Sequence, residues 1–303
     1  MSKSVSWDDQ RVFLAVLDEG SLAGAARRLG LSHPTVRARI EALEQALGTV
    51  LFTRSVNGLT ATEAAETLRH AAQTMATASE LFVRQASAPV GKAAGTVRIS
   101  VSEFMGVEVL PPMLLSVRTH FPDIKIELSL TNLAEDVLAQ EVDIAVRTVA
   151  PKQAVLVARK VAGIPIGLFA SRDYVARRGA PASLADLVDH DTIGPDRSPL
   201  DLAASVQLGL QPNQFAVRTD SHPAQLAAAR AGLGIAPVQV TIGLQDPGLV
   251  RVLPDFSIMT LEVWIVAHEN LIKAPRVRAV FDELVRSFIS WSAVAASSPP
   301  VQS

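Results

Sequence analysis

The chain contains no cysteine. That absence excludes disulfides, thiolate metal centres and cysteine nucleophiles together, and it suits a reducing cytosol. Charge of one sign is also lacking: 28 Lys and Arg stand against 30 Asp and Glu, a formal net charge of −2. A strongly basic, histone-like partner for nucleic acid is thereby excluded, whereas a local positive patch is not, because binding follows where charge sits rather than its sum. Long apolar runs are missing. The charge-free stretches Leu202–Val217 and Ala231–Gln245 carry Gln, Gly and Pro and are too short and polar to span a bilayer. The start, Met1 to Asp9, has no apolar core of a signal peptide, so a cytoplasmic protein without membrane contact is expected. The six histidines are scattered and form no metal-ligand pair at helical spacing. Asp220-Ser221-His222 holds the residue types of a triad, but adjacent residues cannot adopt its geometry, and there is no nucleophile elbow or glycine-rich phosphate loop. No catalytic residue, metal or cofactor is expected, and the chain is not expected to be an enzyme.

What is present is ample apolar material, 49% of 303 residues, which suggests two domains. The first ninety residues have helical periodicity. Ser6 can cap a helix with Val12, Phe13, Val16 and Leu17 on one face. Ser21 can cap a second, Leu22 to Leu29. Ser32 can cap a third, with Pro34 in its first turn and Val36, Ile40, Leu43 and Leu47 as its inward stripe. Strands are expected at Val50–Arg54 and Leu59–Thr60, around a turn-rich tip at Ser55–Gly58 that reads as a small β-wing. From Thr62 to about Ala88 there is neither Pro nor Gly, and Leu68, Met75 and Phe82 recur every seven residues with Ala64, Ala71 and Ala78 between them. Such a seam suits the pairing of two long helices, or packing of the helix on its own domain.

Beyond a Pro- and Gly-containing linker at Ala86–Gly95 the pattern changes. Strands are expected at Val97–Val101, Ile124–Leu130, Val142–Val146, Ile164–Ala170, Gly234–Pro237 and Leu261–Ala267. Helices are expected at Pro111–His120, Glu135–Gln140, Pro223–Ala231 and Arg276–Ser290. This alternation predicts a mostly parallel sheet covered on both faces, built as two successive units.

Three short helices with a tight turn before the third make a helix-turn-helix, whose third helix enters the major groove of double-stranded DNA. At about 100° per residue, His33, Pro34, Arg37 and Ala38 fall on the outward arc, with Thr35 and Arg39 on the flank. Arg37 can pair with guanine in two places and His33 can meet a base edge. Ser21, Ser32, Arg39 and Arg54 are candidates for phosphate, Arg39 equally for a pair within the protein. Between Gly20 and Gly58 the local charge is +3.

The runs Gly20-Ser21-Leu22-Ala23-Gly24-Ala25-Ala26-Arg27-Arg28-Leu29, Leu31-Ser32-His33-Pro34-Thr35-Val36 and Leu47-Gly48-Thr49-Val50-Leu51-Phe52-Thr53-Arg54 resemble the winged helix-turn-helix of LysR-type transcriptional regulators. The likeness continues through Gly95-Thr96-Val97-Arg98-Ile99, Val142-Asp143-Ile144-Ala145-Val146-Arg147 and Gly232-Leu233-Gly234-Ile235-Ala236-Pro237. It implies an α/β protein with a winged helix-turn-helix at 1–60, a dimerising linker helix and hinge at 61–94, and a periplasmic-binding-protein-like effector domain at 95–295. Its first lobe would be 95–160 with 263–295 and its second 161–262; the Ser- and Pro-rich residues 296–303 are themselves expected to be a disordered tail. It also implies a homodimer assembling into a tetramer on promoter DNA, a small-molecule effector, and contact with RNA polymerase if the protein activates. His33 stands where the family often has Gln, and Arg37-Ala38 where it often has Ser-Arg, so the bases read here differ from the common ones. The rival is a solute-binding or enzymatic α/β protein whose N-terminus only mediates assembly.

Ligands of such folds bind beyond the carboxyl ends of strands, between lobes. Ser102, Glu103 and Phe104, then Thr131, Asn132 and Leu133, then Arg147 and Thr148 are the candidates on one side. Asp196, Arg197, Ser221 and His222 are the candidates on the other. Arg147 and the helix start at Ser221 would favour a carboxylate on the effector.

Overall fold

The computed structural model describes residues 5–55, 58–86, 91–132 and 142–297, and the chain separates into two compact units, 1–86 and 87–303. Four expectations fall wholly or partly outside the described residues: the tip at Val56 and Asn57, residues 87–90 of the linker, Leu133 with the helix at Glu135–Gln140, and the tail beyond Ser297.

The N-terminal unit is α1 (Trp7–Glu19), α2 (Leu22–Leu29), α3 (His33–Leu47), the hairpin β1 (Phe52–Ser55) and β2 (Gly58–Ala61), and α4 (Glu63–Ala86). Each of the first three helices begins on a serine whose hydroxyl accepts an amide hydrogen: Ser6 from Asp9, Ser21 from Gly24 and Ser32 from Thr35. Gly30 turns the chain from α2 into α3 with left-handed backbone, φ 65°. The stripes meet in one core of Val12, Phe13, Val16, Ala25, Val36, Ile40, Leu43 and Leu51. Two polar devices fasten the wing to it. The Glu44 carboxylate accepts from the amides of Leu51 (2.7 Å) and Phe52 (3.2 Å), and the Leu59 amide donates to the Gly20 carbonyl (2.9 Å).

The Leu68, Met75 and Phe82 seam is divided. Among the described residues of α4, Ala65 and Ala72 are buried, Leu68 packs beside them on the core, and Arg69 reaches Asp18 of α1. Met75, Phe82 and Val83 are left exposed, Phe82 at 74%. The seven-residue repeat thus serves two surfaces, with its first turn turned inward to α1.

The C-terminal unit runs β3 (Gly95–Val101), a π-helical turn at Met105–Val109, α5 (Leu110–His120), β4 (Ile124–Leu130), β5 (Ile144–Arg147) and β6 (Leu156–Ser171). It continues with α6 (Arg172–Arg178), β7 (Thr192–Gly194), α7 (Pro199–Gln207), β8 (Phe215–Arg218), α8 (His222–Arg230), β9 (Ala236–Gln239) and α9 (Val240–Gln245). It closes with β10 (Leu249–Val252), β11 (Met259–His268) and α10 (Pro275–Ser297). The main sheet has the order β10-β6-β11-β5-β3-β4 with β9 also on β6, and β7 pairs with β8 separately.

The expectation of a mostly parallel sheet is corrected. Only β3 pairs in parallel within the main sheet, with β4 and β5; β6 is antiparallel to β9, β10 and β11, and β11 to β5. The reason is that β6 and β11 carry the chain out and back through the same sheet, so their neighbours must oppose them. Strand β6 also starts at Leu156 rather than Ile164, because exposed Arg159 and Lys160 break its apolar pattern. Helix α7 was not anticipated at all; its signal is Ser198-Pro199 with Asp201 three residues after the cap, and the Ser198 hydroxyl accepts from the Asp201 amide.

Gly58 has φ +129°, and a Cβ there would lie 2.8 Å from the Gly20 carbonyl oxygen. Gly58→Ala should therefore cost the N-terminal unit about 1–3 kcal/mol. Hydrogen exchange is the readout: the Leu59 amide should exchange faster while amides of β6 and β11 are unchanged.

Candidate functional site

The inward stripe of α3 fixes what faces out. Val36 is fully buried and Ile40 nearly so, which leaves His33, Pro34, Thr35, Arg37 and Ala38 exposed on the opposite side. Among the described residues no carboxylate pairs with Arg37 or with Arg54 on β1. The caps of α2 and α3, Ser21 and Ser32, open toward the same helix-turn-helix, and the Ser32 and Thr35 hydroxyls lie 2.7 Å apart. Arg39 is placed differently. Its guanidinium pairs with Asp9 at 3.1 Å and Asp8 at 3.5 Å, so it ties α3 to α1, and of its two expected roles the pair within the protein is the one formed. Hydrogen bonds from Ser6 and the Arg39 guanidinium together hold the Asp9 carboxyl below the usual carboxylate range.

In the C-terminal unit the strand ends bring some candidates together and separate others. The Glu103 amide donates to Asn132 Oδ1 (3.3 Å), and the Thr131 amide to the Val101 carbonyl (3.0 Å), which joins the ends of β3 and β4. Phe104 turns away into the main core. Arg147 reaches back to β3 and donates to Ser100 Oγ (3.0 Å) and to the Ser100 carbonyl. Thr148 is exposed beside it.

Across from them, His222 begins α8 with Nε2 3.3 Å from Asp201 of α7. The hydrogen bond to Asp201 pushes the imidazole pKa up, reinforced by the charges of Asp201, Asp220 and Glu103. Glu103 therefore lies near enough for its charge to act on His222. Ser221 is the cap residue of α8, but its hydroxyl makes no capping bond. Asp220 closes the start of α7: its carboxylate accepts from the amides of Ser198 (3.0 Å), Arg197 (2.9 Å) and Asp196 (2.9 Å), and these bonds lower its pKa. One helix start near the expected cleft thus already holds a carboxylate from the chain itself. Asp196 pairs with Arg218 (2.9 Å) and Arg197, the latter 89% exposed. Sequence reasoning missed Asp201 and the role of Asp220.

A second polar link was also missed. Arg230 of α8 grips Glu108 of the π-turn with two bonds, 2.9 and 3.0 Å, and donates to Asp246 at 2.7 Å. Nothing local in sequence signals it, since the partners lie 122 and 16 residues away. Among the described residues no group of His, Asp and Glu could hold a metal ion, and no helix is long and apolar enough to cross a membrane.

Comparison with known proteins bears on both units. Residues 7–66 match the model of the bacterial regulatory helix-turn-helix proteins of the lysR family, and residues 91–288 match the LysR substrate binding domain. The chain belongs to the LysR family. It is one of regulatory proteins and not of enzymes. An HTH-type transcriptional regulator of Xanthomonas campestris pv. campestris (strain 8004) is 30% identical over 190 residues, 61% of this chain and 54% of its own length. The match therefore spans about half of that relative. An HTH-type transcriptional repressor of Pseudomonas aeruginosa (strain UCBPP-PA14) is 26% identical over 306 residues, 96% of this chain and 92% of its own. Among solved structures, full-length CbnR complexed with its target DNA shares the fold, with a TM-score of 0.68 at 21% identity over 93% of this chain and 99% of that one.

The His222–Asp201 pair makes a pH prediction. A raised histidine pKa stabilises the folded chain fully below the ordinary value of 6.5, and that contribution is lost as pH rises through the raised value. The lowered Asp201 pKa works from the other side, its contribution being lost only as pH falls through it, below the ordinary 3.8. NMR titration of the His222 ring should give a midpoint above 6.5, moving down in Asp201→Asn.

Proposed function

We propose that this LysR-family protein is a sequence-specific DNA-binding transcriptional regulator controlled by a small molecule bound between two lobes of its C-terminal unit. The observation that carries the DNA-binding part is the exposed face of α3, where Arg37, with no acidic partner among the described residues, stands beside His33 in a helix-turn-helix. Arg37 and His33 read base edges in the major groove, while Pro34, Thr35 and Ala38 line the contact. Ser21, Ser32 and Arg54 hold phosphates. Arg39 orients α3 through Asp8 and Asp9 and is not assigned to DNA.

Pairing of two copies is supported by the uncovered part of α4. Met75, Phe82 and Val83 expose an apolar stripe on a 24-residue helix, and a two-fold DNA site requires two recognition helices. The tetramer implied by the family is the fuller form of this assembly.

For the effector, we assign lobe I to 95–160 with 263–295 and lobe II to 161–262. Ser102, Glu103, Thr131 and Asn132 at the strand ends, with Arg147 and Thr148, then face Ser221, His222, Asp196 and Arg197. A carboxylate on the effector would be met by Arg147 and Arg197, with Glu103 and Asp201 acting on its polar remainder.

Fluorescence anisotropy with duplexes taken from upstream of the protein's own gene tests the DNA-binding part. Arg37→Ala should cost about 1–3 kcal/mol at one base position and relax specificity there. Arg54→Ala should weaken binding to all sequences and lower its salt dependence. Equal affinity for every duplex, in wild type and variants alike, would contradict the proposal. Assembly is tested separately by light scattering: Met75→Glu should shift the mass toward the 32.2 kDa of one chain.

A further inference from the structure

The helix that leaves β3 begins in the α pattern, with the Gly106 amide donating to the Ser102 carbonyl four residues back (2.9 Å). It then widens: Met105–Val109 is π-helical, and the Leu110 amide donates to the Met105 carbonyl five residues back. One extra residue is thereby inserted before α5, an insertion that is rare and recurs at functional sites. Two prolines follow. Pro111 and Pro112 have no amide hydrogen, so Leu110 is the last donor before Met113, and no bond from the next two residues fixes where the extra residue sits.

The wide turn is held from outside instead. Glu108 on it receives two bonds from Arg230 of α8, 2.9 and 3.0 Å, and Arg230 is braced by Asp246 at 2.7 Å. Met105 Sδ accepts from Gln239 Nε2 of β9 (3.2 Å), and Met105 and Val109 share a core with Leu226 and Ala229. Downstream, α5 is anchored by Leu110, Met113 and Val117, each at 4% exposure or less. Upstream, β3 is anchored by its pairing with β4 and β5. Tightening to the α register would pass the Leu110 amide from the Met105 carbonyl to that of Gly106. The residues before it would turn by about 100°, which carries Glu108 off Arg230. With both anchors fixed, the residue released is taken up at their junction, where Ser102 and Glu103 stand.

We propose that residues 105–110 are a two-register switch, π with Arg230 gripping Glu108 and α with the grip released, which couples the strand end at Ser102 and Glu103 to α8. The inference goes beyond the DNA-binding and effector assignments, and the register change stands without either.

Methyl relaxation dispersion on the full-length protein, labelled at Met, Leu and Val, reads exchange on the μs–ms scale. Glu108→Gln, which keeps the side-chain shape and removes the charge, should raise the population of the minor register about tenfold, the worth of one charge-assisted hydrogen bond. Pro111→Ala, at an exposed position, supplies an amide that can close the α-type bond to the Val107 carbonyl, and should raise the same population with Glu108 intact. Met105, Val109, Leu110 and Leu226 should exchange at one common rate while Met113 and Val117 stay still. Deleting the exposed Val107 removes the extra residue, and the Met105 and Val109 shifts of that protein should match those of the minor state. Flat dispersion in both substituted proteins, exchange that spreads to Met113 and Val117, or minor-state shifts unlike those of the deletion protein would each overturn the switch.

Discussion

What the recognition helix can offer a partner depends on the rotation of α3 about its own axis. Val36, Ile40 and Leu43 are packed into the core to 5% exposure or less, and turning the helix by even one residue would expose at least one of them. Exposing such a side chain costs about 1.5–3 kcal/mol, far more than a surface contact returns. The Arg39 pairs with Asp8 and Asp9 fix the same rotation from the flank and favour it electrostatically, although an exposed ion pair contributes little by itself. The outward face is therefore set before any partner arrives. A residue whose charge is spent inside the protein and one whose charge is available stand two positions apart, at Arg39 and Arg37.

The C-terminal unit is organised by a different constraint, the antiparallel ladder of β6 and β11. Paired from Leu156 to Ile166, these two strands make one ladder that links β5, on the far side of β11, to β9 and β10 beyond it on β6. The π-turn and α8 are joined by the paired grip of Arg230 on Glu108 and by a core in which Met105 and Val109 share a cluster with Leu226 and Ala229. Glu108 and Asp246 between them push the Arg230 pKa higher still, so this cation stays charged at any pH the protein meets. A movement between the π-turn and α8 must break that grip, and a ligand can favour such a movement only through unequal affinity for the two arrangements.

The sequence was most informative where local rules and burial agree. The first three helices and the outward arc of α3 could be placed from periodicity, because each helix has a clear stripe, and their starts from the serines that cap them. The division of α4 could not, since an alanine-lined seven-residue repeat looks the same whether it faces its own core or another chain. The apolar pattern marks β6 only from Ile164, because Arg159 and Lys160 stand exposed on a strand that in fact begins at Leu156. The antiparallel pairings and the Arg230–Glu108 grip were illegible for a simpler reason: they join residues about a hundred positions apart, and no periodicity records such distances. Asp220 could be noticed but not interpreted, because capping of α7 makes sense only once α7 itself is seen.

The central claim is that α3 presents Arg37 and His33 to the major groove as a sequence-reading surface. Selection of bound duplexes from a random pool by the full-length protein, followed by sequencing, tests it most directly. The account predicts enrichment of a two-fold site with an invariant guanine in each half, the halves about one helical turn apart or a multiple of it. Recovery of a pool no different in sequence from the input would contradict it.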